Sequence, residues 1–266
     1  MCTILAFYQM HPEYPLIIAA NRDEFLRRKS TPPQVLVEEP RVLGGLDVES
    51  QGTWMGATPS GFFVGLTNQR TYQKSNPELQ SRGPLVVNAL QQEDPASTVQ
   101  WLKSLDGRKY NPFNLLFGNA DSLWVAYARA EHEEIRVEEV QPGFHILPNT
   151  TLNAEDSLKA QHVRTVVEDS ILRGFAEEKW DAISSSLQHI LQDHQKPPLS
   201  KIPKPPSHSV MPRLLIQQLE ALCVKVPGYG TCSSTIFGMG KSQLTHYLFS
   251  PGSPRQTPFE DFTHLL

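Results

Sequence analysis

Short apolar runs broken by turn-forming clusters fill the first third of the chain and read as strands. Thr3 to Tyr8 and Leu16 to Ala20 flank His11-Pro12-Glu13-Tyr14-Pro15, the pattern of a hairpin with a longer loop. A second pair, Gly52 to Gly56 and Gly61 to Thr67, is divided by Thr58-Pro59-Ser60. Helical spacing follows. Leu85, Val86 and Leu90, then Val99, Leu102 and Leu105, recur either side of Asp94-Pro95, where Asp94 suits a cap and Pro95 a first turn. Phe113 to Phe117, Leu123 to Ala128 and Ile135 to Val140 read as a meander, which Phe144 to Leu147 extends. Two longer helices are predicted near Ser157 to Leu172 and Lys179 to His194, and a short one near Arg213 to Leu222. Gly230 to Phe237 and Leu244 to Phe249 close the chain as a strand pair. Strands and helices alternating in blocks predict antiparallel sheets with helices packed outside, an α+β protein.

The stretch Lys196 to Ser207 is proline-rich and basic and reads as a stiff surface loop, so residues 1–266 are expected to form a single domain. Composition narrows the function classes. A net charge of -4 with no basic cluster argues against a nucleic-acid surface. Three cysteines, Cys2, Cys223 and Cys232, are odd in number and form no CxxC pair, which argues against a disulfide framework or a zinc site. No metal is expected, and a reducing compartment fits. No leader is visible, and Leu16 to Ala20 is far too short to span a bilayer. A cytoplasmic protein without stable membrane insertion is the expectation. Oligomeric state is not encoded legibly.

The chemistry centres on the second residue. Removal of Met1 would make Cys2 the first residue, placing a thiol and an α-amine on one residue. Their ordinary pKa values, about 8.5 and about 7.7–8.0, leave both partly reactive near neutral pH. The plainer alternative is a small apolar residue opening a buried strand. Asn21-Arg22-Asp23-Glu24 ends the hairpin arm that faces Cys2. There Arg22 would favour the thiolate and Asp23 would hold the α-amine, unless the run is only a solvated turn. Asn68, after Gly65-Leu66-Thr67, and Asn149, after Ile146-Leu147-Pro148, are amides at strand ends, suited to a developing oxyanion or to an Asx-turn.

Met1-Cys2-Thr3, Ala20-Asn21-Arg22-Asp23-Glu24-Phe25, Gln51 to Gly56 and Gly65 to Arg70, in this order, resemble the NRDE family, the group that includes the transport and Golgi organisation protein 2. Ser81-Arg82-Gly83, Ile146 to Asn149 and Tyr229-Gly230-Thr231 extend the resemblance along nearly the whole chain. The resemblance implies an N-terminal-nucleophile (Ntn) hydrolase-like fold, a four-layer αββα sandwich of antiparallel sheets most similar to choloylglycine hydrolases and penicillin V acylases. It implies Cys2 as nucleophile, Arg22 and Asp23 as the charge pair beside it, and Asn68 and Asn149 as the amides of the site. Asn21, Glu24, Trp54, Arg70 and Arg82, within the same motifs, are the expected substrate-binding residues. Family members usually carry arginine after Tyr-Gly-Thr, whereas this chain has Cys232.

The expected activity is amidohydrolase-like, cleaving a small amide by acyl transfer without a cofactor. The alternative, also implied by the resemblance, is a non-catalytic carrier of an apolar ligand such as haem, a lipid or an acyl-CoA. Nine histidines are present, none in a haem-attachment context.

Overall fold

A computed structural model of the chain describes residues 2–172 and 175–266. Met1, on which the reading of a freed amine rests, lies outside the described residues. In chain order the structure runs through β1 (Cys2–Tyr8), β2 (Leu16–Phe25), β3 (Ser30–Val37), β4 (Val42–Asp47), β5 (Met55–Ala57) and β6 (Phe63–Asn68). Helices α1 (Gly83–Leu90) and α2 (Pro95–Lys103) precede β7 (Phe113–Gly118), β8 (Leu123–Ala128), β9 (Arg136–Val140) and β10 (Gly143–Leu147). Then come α3 (Leu158–Ser170), α4 (Trp180–Leu191) and α5 (Arg213–Leu219), followed by β11 (Lys225–Val226), β12 (Tyr229–Met239), β13 (Leu244–Ser250) and β14 (Glu260–Asp261).

The strands form two antiparallel sheets. One runs β10-β1-β2-β12-β13-β14 with β11 beside β12, and the other runs β3 to β9 in sequence order. Strand alternation sorts their side chains into three cores. Ile4, Ala6, Ile18 and Ala20 of the first sheet meet Met55, Phe63, Leu116 and Val125 of the second. Leu5, Phe7, Ile17 and Ala19 face the other way, onto Val163, Val167, Ile183 and Leu187 of α3 and α4. Val64, Leu66, Leu115 and Phe117 pack against Leu85, Leu90, Val99 and Leu102 of α1 and α2. The layers are helix, sheet, sheet, helix.

Two expectations change. β10 leaves the meander and pairs with β1, matching Ile4 to Leu147. The arm containing Asn21 to Phe25 is strand, because β2 lies between β1 and β12 along its length. Strands β3 and β4 carry no strong alternation: β3 contains Pro32 and Pro33, tolerable because it is an edge strand. In β4, Gly45 lies where any Cβ would overlap the Trp54 ring. Asp94 caps α2, accepting from the Ser97 N–H at 2.9 Å. Residues 196–207 hold one short 3-10 turn, Leu199–Lys201. Among the described residues, no helix is long and apolar enough to cross a membrane.

Candidate active site

The ends of β1, β2, β4 and β6 converge on a cleft of about 390 Å³ whose lining includes Cys2, Arg22, Trp54, Asn68 and Arg82. Cys2 and Arg22 are cross-strand partners, so their side chains leave the sheet on the same face, toward the second sheet. Arg22 is buried and heavily clamped. Its Nη2 donates to Asp47 Oδ2 at 3.1 Å, and its Nη1 to Ser30 Oγ at 3.2 Å and Cys232 Sγ at 3.1 Å. Trp54 stacks on the guanidinium, 4.3 Å from its ring centroid. Asp47 Oδ2 also accepts from Arg28 Nε at 2.7 Å, while Oδ1 accepts from the Glu49 and Ser50 N–H groups. Such a network fixes the cation's position opposite the thiol.

The thiol itself is partly exposed. Burial pushes Cys2 above the ordinary thiol range and Asp23 adds to this, while Arg22 opposes it. The sulfur is therefore protonated near neutral pH and needs a base to become a nucleophile.

A second layer of charge lies on the helix side of β1 and β2. Asp23 is 1% exposed, and its Oδ1 accepts from Thr231 Oγ1 at 2.6 Å. Lys159, near the start of α3 and 3% exposed, puts its Nζ 4.0 Å from Asp23 Oδ2 and donates to Thr3 Oγ1 at 3.3 Å. Burial raises Asp23 against the opposing pull of Lys159. Burial lowers Lys159 against Asp23 and Glu220. The Lys159 N–H donates to Glu220 Oε2 at 3.1 Å, and Glu220 Oε1 pairs with Arg70 at 2.6 Å.

The expected residues divide accordingly. Cys2, Arg22, Asp23, Glu24, Trp54, Asn68 and Arg82 all border the cleft. The Asn68 carboxamide is hydrogen-bonded to no other described residue, whereas its backbone carbonyl accepts from Asn149 Nδ2 at 2.9 Å. Asn149 is buried and borders a separate cavity of about 120 Å³ together with Arg70. Arg70 is thus not brought to the cleft; Glu220 neutralises it. Asn21 is not brought there either. On the helix side, it donates to the Leu191 and Leu222 carbonyls at 2.9 and 3.0 Å and accepts from Ser234 Oγ at 2.6 Å. Strand alternation explains the divergence of Asn21 from its neighbour Arg22.

Cys232 sits at the bulge between Thr231 and Ser233 of β12. Its sulfur receives the Arg22 guanidinium, so the position remains coupled to the site through that residue.

A model of the family described as Transport and Golgi organisation 2 matches residues 1–248. This chain belongs to that family. The homologue in Bos taurus is 30% identical over 253 residues, covering 89% of this chain and 87% of that protein. The Homo sapiens homologue is 30% identical over 250 residues with the same coverage of both chains. The Drosophila melanogaster protein is 26% identical over 216 residues, 74% of each. Among solved structures, the Caenorhabditis elegans N-acylethanolamine-hydrolyzing acid amidase ortholog superposes with TM-score 0.50 at 11% identity, covering 90% of this chain and 92% of that one. A variant of the conjugated bile acid hydrolase from Clostridium perfringens also gives TM-score 0.50 at 11% identity, covering 99% and 93%. This member of the Transport and Golgi organisation 2 family therefore has the Ntn-hydrolase-like fold.

Sequence reasoning missed Asp47, Lys159 and Thr231. Asp47 gave no signal, and Thr231, though part of the Tyr229-Gly230-Thr231 motif, gave none of its role, since each acquires that role only from strands brought together by folding. Lys159 did leave one: it shares the phase of Val163 and Val167 on the buried face of α3. A cation in an apolar stripe calls for a buried partner.

Proposed function

We propose that this protein is an N-terminal-cysteine amidohydrolase, cleaving a small amide by acyl transfer after loss of Met1. The observation that carries this is the pairing of Cys2 with Arg22 at a cleft bordered by the uncommitted carboxamide of Asn68. In this reading Cys2 Sγ attacks the substrate carbonyl while its proton passes to the freed α-amine. The developing oxyanion receives the Asn68 N–H. Asn149 fixes the Asn68 backbone from behind through its 2.9 Å bond. The protonated amine then gives its proton to the leaving nitrogen, the C–N bond breaks, and an acyl thioester remains on Cys2. Water attacks the thioester, its proton passing through the same amine, to release a carboxylic acid and regenerate the thiol. Arg22 faces the sulfur and steadies its anionic form, and Asp23 with Lys159 fixes the strand end. The two structural neighbours bear names denoting hydrolysis of N-acylethanolamines and of conjugated bile acids, the first as an acid amidase.

The test is intact mass spectrometry of the purified protein before and after exposure to a panel of activated amides and esters. The expected result is loss of one methionine and an acyl mass increment on Cys2, absent in Cys2→Ala. Retained methionine, or no adduct and no turnover across the panel, overturns the proposal. A Soret shift on haem titration that survives Cys2→Ala, without any adduct, would favour the carrier instead.

A further inference from the structure

The wall of the cleft carries a cation that the acyl-transfer chemistry leaves unused. Arg22 and Arg28 both bond Asp47, and Arg28 Nη1 also lies 3.9 Å from Glu24 Oε2. Both oxygens of Asp47 are already engaged. Arg82 stands apart. Its Nη1 donates to the Pro112 carbonyl at 3.2 Å, and it forms no salt bridge with any described carboxylate. Its side chain is half-buried, and burial together with the neighbouring Arg28 pushes it below the ordinary arginine range, against Glu24 and Cys2. The remaining wall at this end is neutral and polar, with Asn76, Gln80, Ser81 and Asn111.

A half-buried guanidinium without a salt-bridge partner at the wall of a cleft is open to pairing with an oxyanion that enters it. Its planar fork suits bidentate binding of a carboxylate or phosphate. We propose that Arg82, with Arg28 beside it, anchors an anionic group on the molecule whose carbonyl meets Cys2, so that the substrate class is an acidic amide. The inference deepens the acyl-transfer reading, yet binding at Arg82 is measurable without any turnover.

Isothermal titration calorimetry on the Cys2→Ala protein tests it, using N-hexanoyl-β-alanine, its methyl ester and N-hexanoyl-O-phosphoethanolamine. At least one anionic probe is expected to bind about tenfold or more tighter than the ester, because a charge pair in a half-buried cleft discriminates against a neutral group. Which of the two binds tighter separates carboxylate from phosphate. Arg82→Gln should abolish the advantage and leave the ester unchanged, and Arg82→Lys should restore part of it. If Arg82→Gln fails to fold, the salt dependence of the Arg82 protein decides: the affinity of the anion falls with sodium chloride and that of the ester does not. Equal affinity for acid and ester, or equal weakening of all probes by Arg82→Gln, overturns the anchor. Anion binding through Arg82 without any Cys2 adduct in the parent protein would refute the hydrolase and keep the anchor. Turnover that ignores the charge of the probe would do the reverse.

Discussion

Replacing Lys159 with methionine tests the buried charge layer most directly. The substitution keeps the aliphatic stem and removes the ammonium 4.0 Å from Asp23 Oδ2. Removing one partner of a buried ion pair costs about 3–5 kcal/mol. The lower end applies, because Asp23 keeps the Thr231 hydroxyl and Glu220 keeps Arg70. About 3 kcal/mol is a large share of a domain's typical stability of roughly 5–15 kcal/mol. At about 2–4 °C per kcal/mol for a chain of this size, the midpoint should fall by roughly 6–12 °C. The pH dependence carries the mechanism. Asp23 already titrates above the ordinary carboxylate value in the folded state, so ionising it costs stability as pH rises past about 4. Lys159 titrates below its ordinary value, so its own contribution weakens as pH falls below about 10.4. Without the ammonium, Asp23 moves higher still. The deficit of the variant should be smallest near pH 4, where the raised Asp23 carboxyl is mostly protonated in both folded proteins, and should grow as pH rises through the window of its ionisation. Thermal and urea melts of both proteins between pH 4 and 8 measure this. Asp23→Asn in the Lys159→Met background should recover most of the loss. A deficit of equal size at pH 4 and pH 8, or no deficit at pH 7, would refute the reasoning.

Three further outcomes are expected. In protein that retains Met1, alkylation of Cys2 by iodoacetamide should reach half its limiting rate above the ordinary thiol pKa of about 8.5. Arg22→Met should move that midpoint higher, and a parent midpoint below pH 8 contradicts the burial argument. Gly45→Ala should cost about 1–3 kcal/mol by overpacking against Trp54, and the displaced indole should alter tryptophan emission; unchanged melting and emission would show that β4 has slack there. Asp94→Ala should lose about 1 kcal/mol through the α2 cap, seen in urea melts as a lower midpoint at constant slope.

What the sequence disclosed follows from how local the information was. Hydrophobic period and turn residues placed β1, α1 to α5, β7 to β9, β12 and β13 near their observed bounds, because each buries one face that its own residues define. β10 was found as a strand and assigned to the wrong sheet, since the apolar run Phe144 to Leu147 does not itself name its partner strand. At the site, Cys2 and Arg22 were legible because a hairpin fixes their register. Asn21 and Arg70 do not border the cleft, because motif membership says nothing about which face a side chain takes. Asp47 joins Arg22 through a salt bridge between residues from two different sheets, a contact no local pattern encodes.

The position of β2 also governs when the surroundings of Cys2 can assemble during synthesis. One neighbour of β2 is the very first strand, and the other is β12, more than two hundred residues downstream in the numbering. The Arg22 carbonyl and guanidinium therefore meet Cys232 only after the 210 residues that separate them have left the ribosome. Pairings of such long sequence separation form late, since the intervening loop must be closed before they repay it. Until β12 is made, β2 can pair with β1 alone, and Arg22 lacks its Cys232 contact.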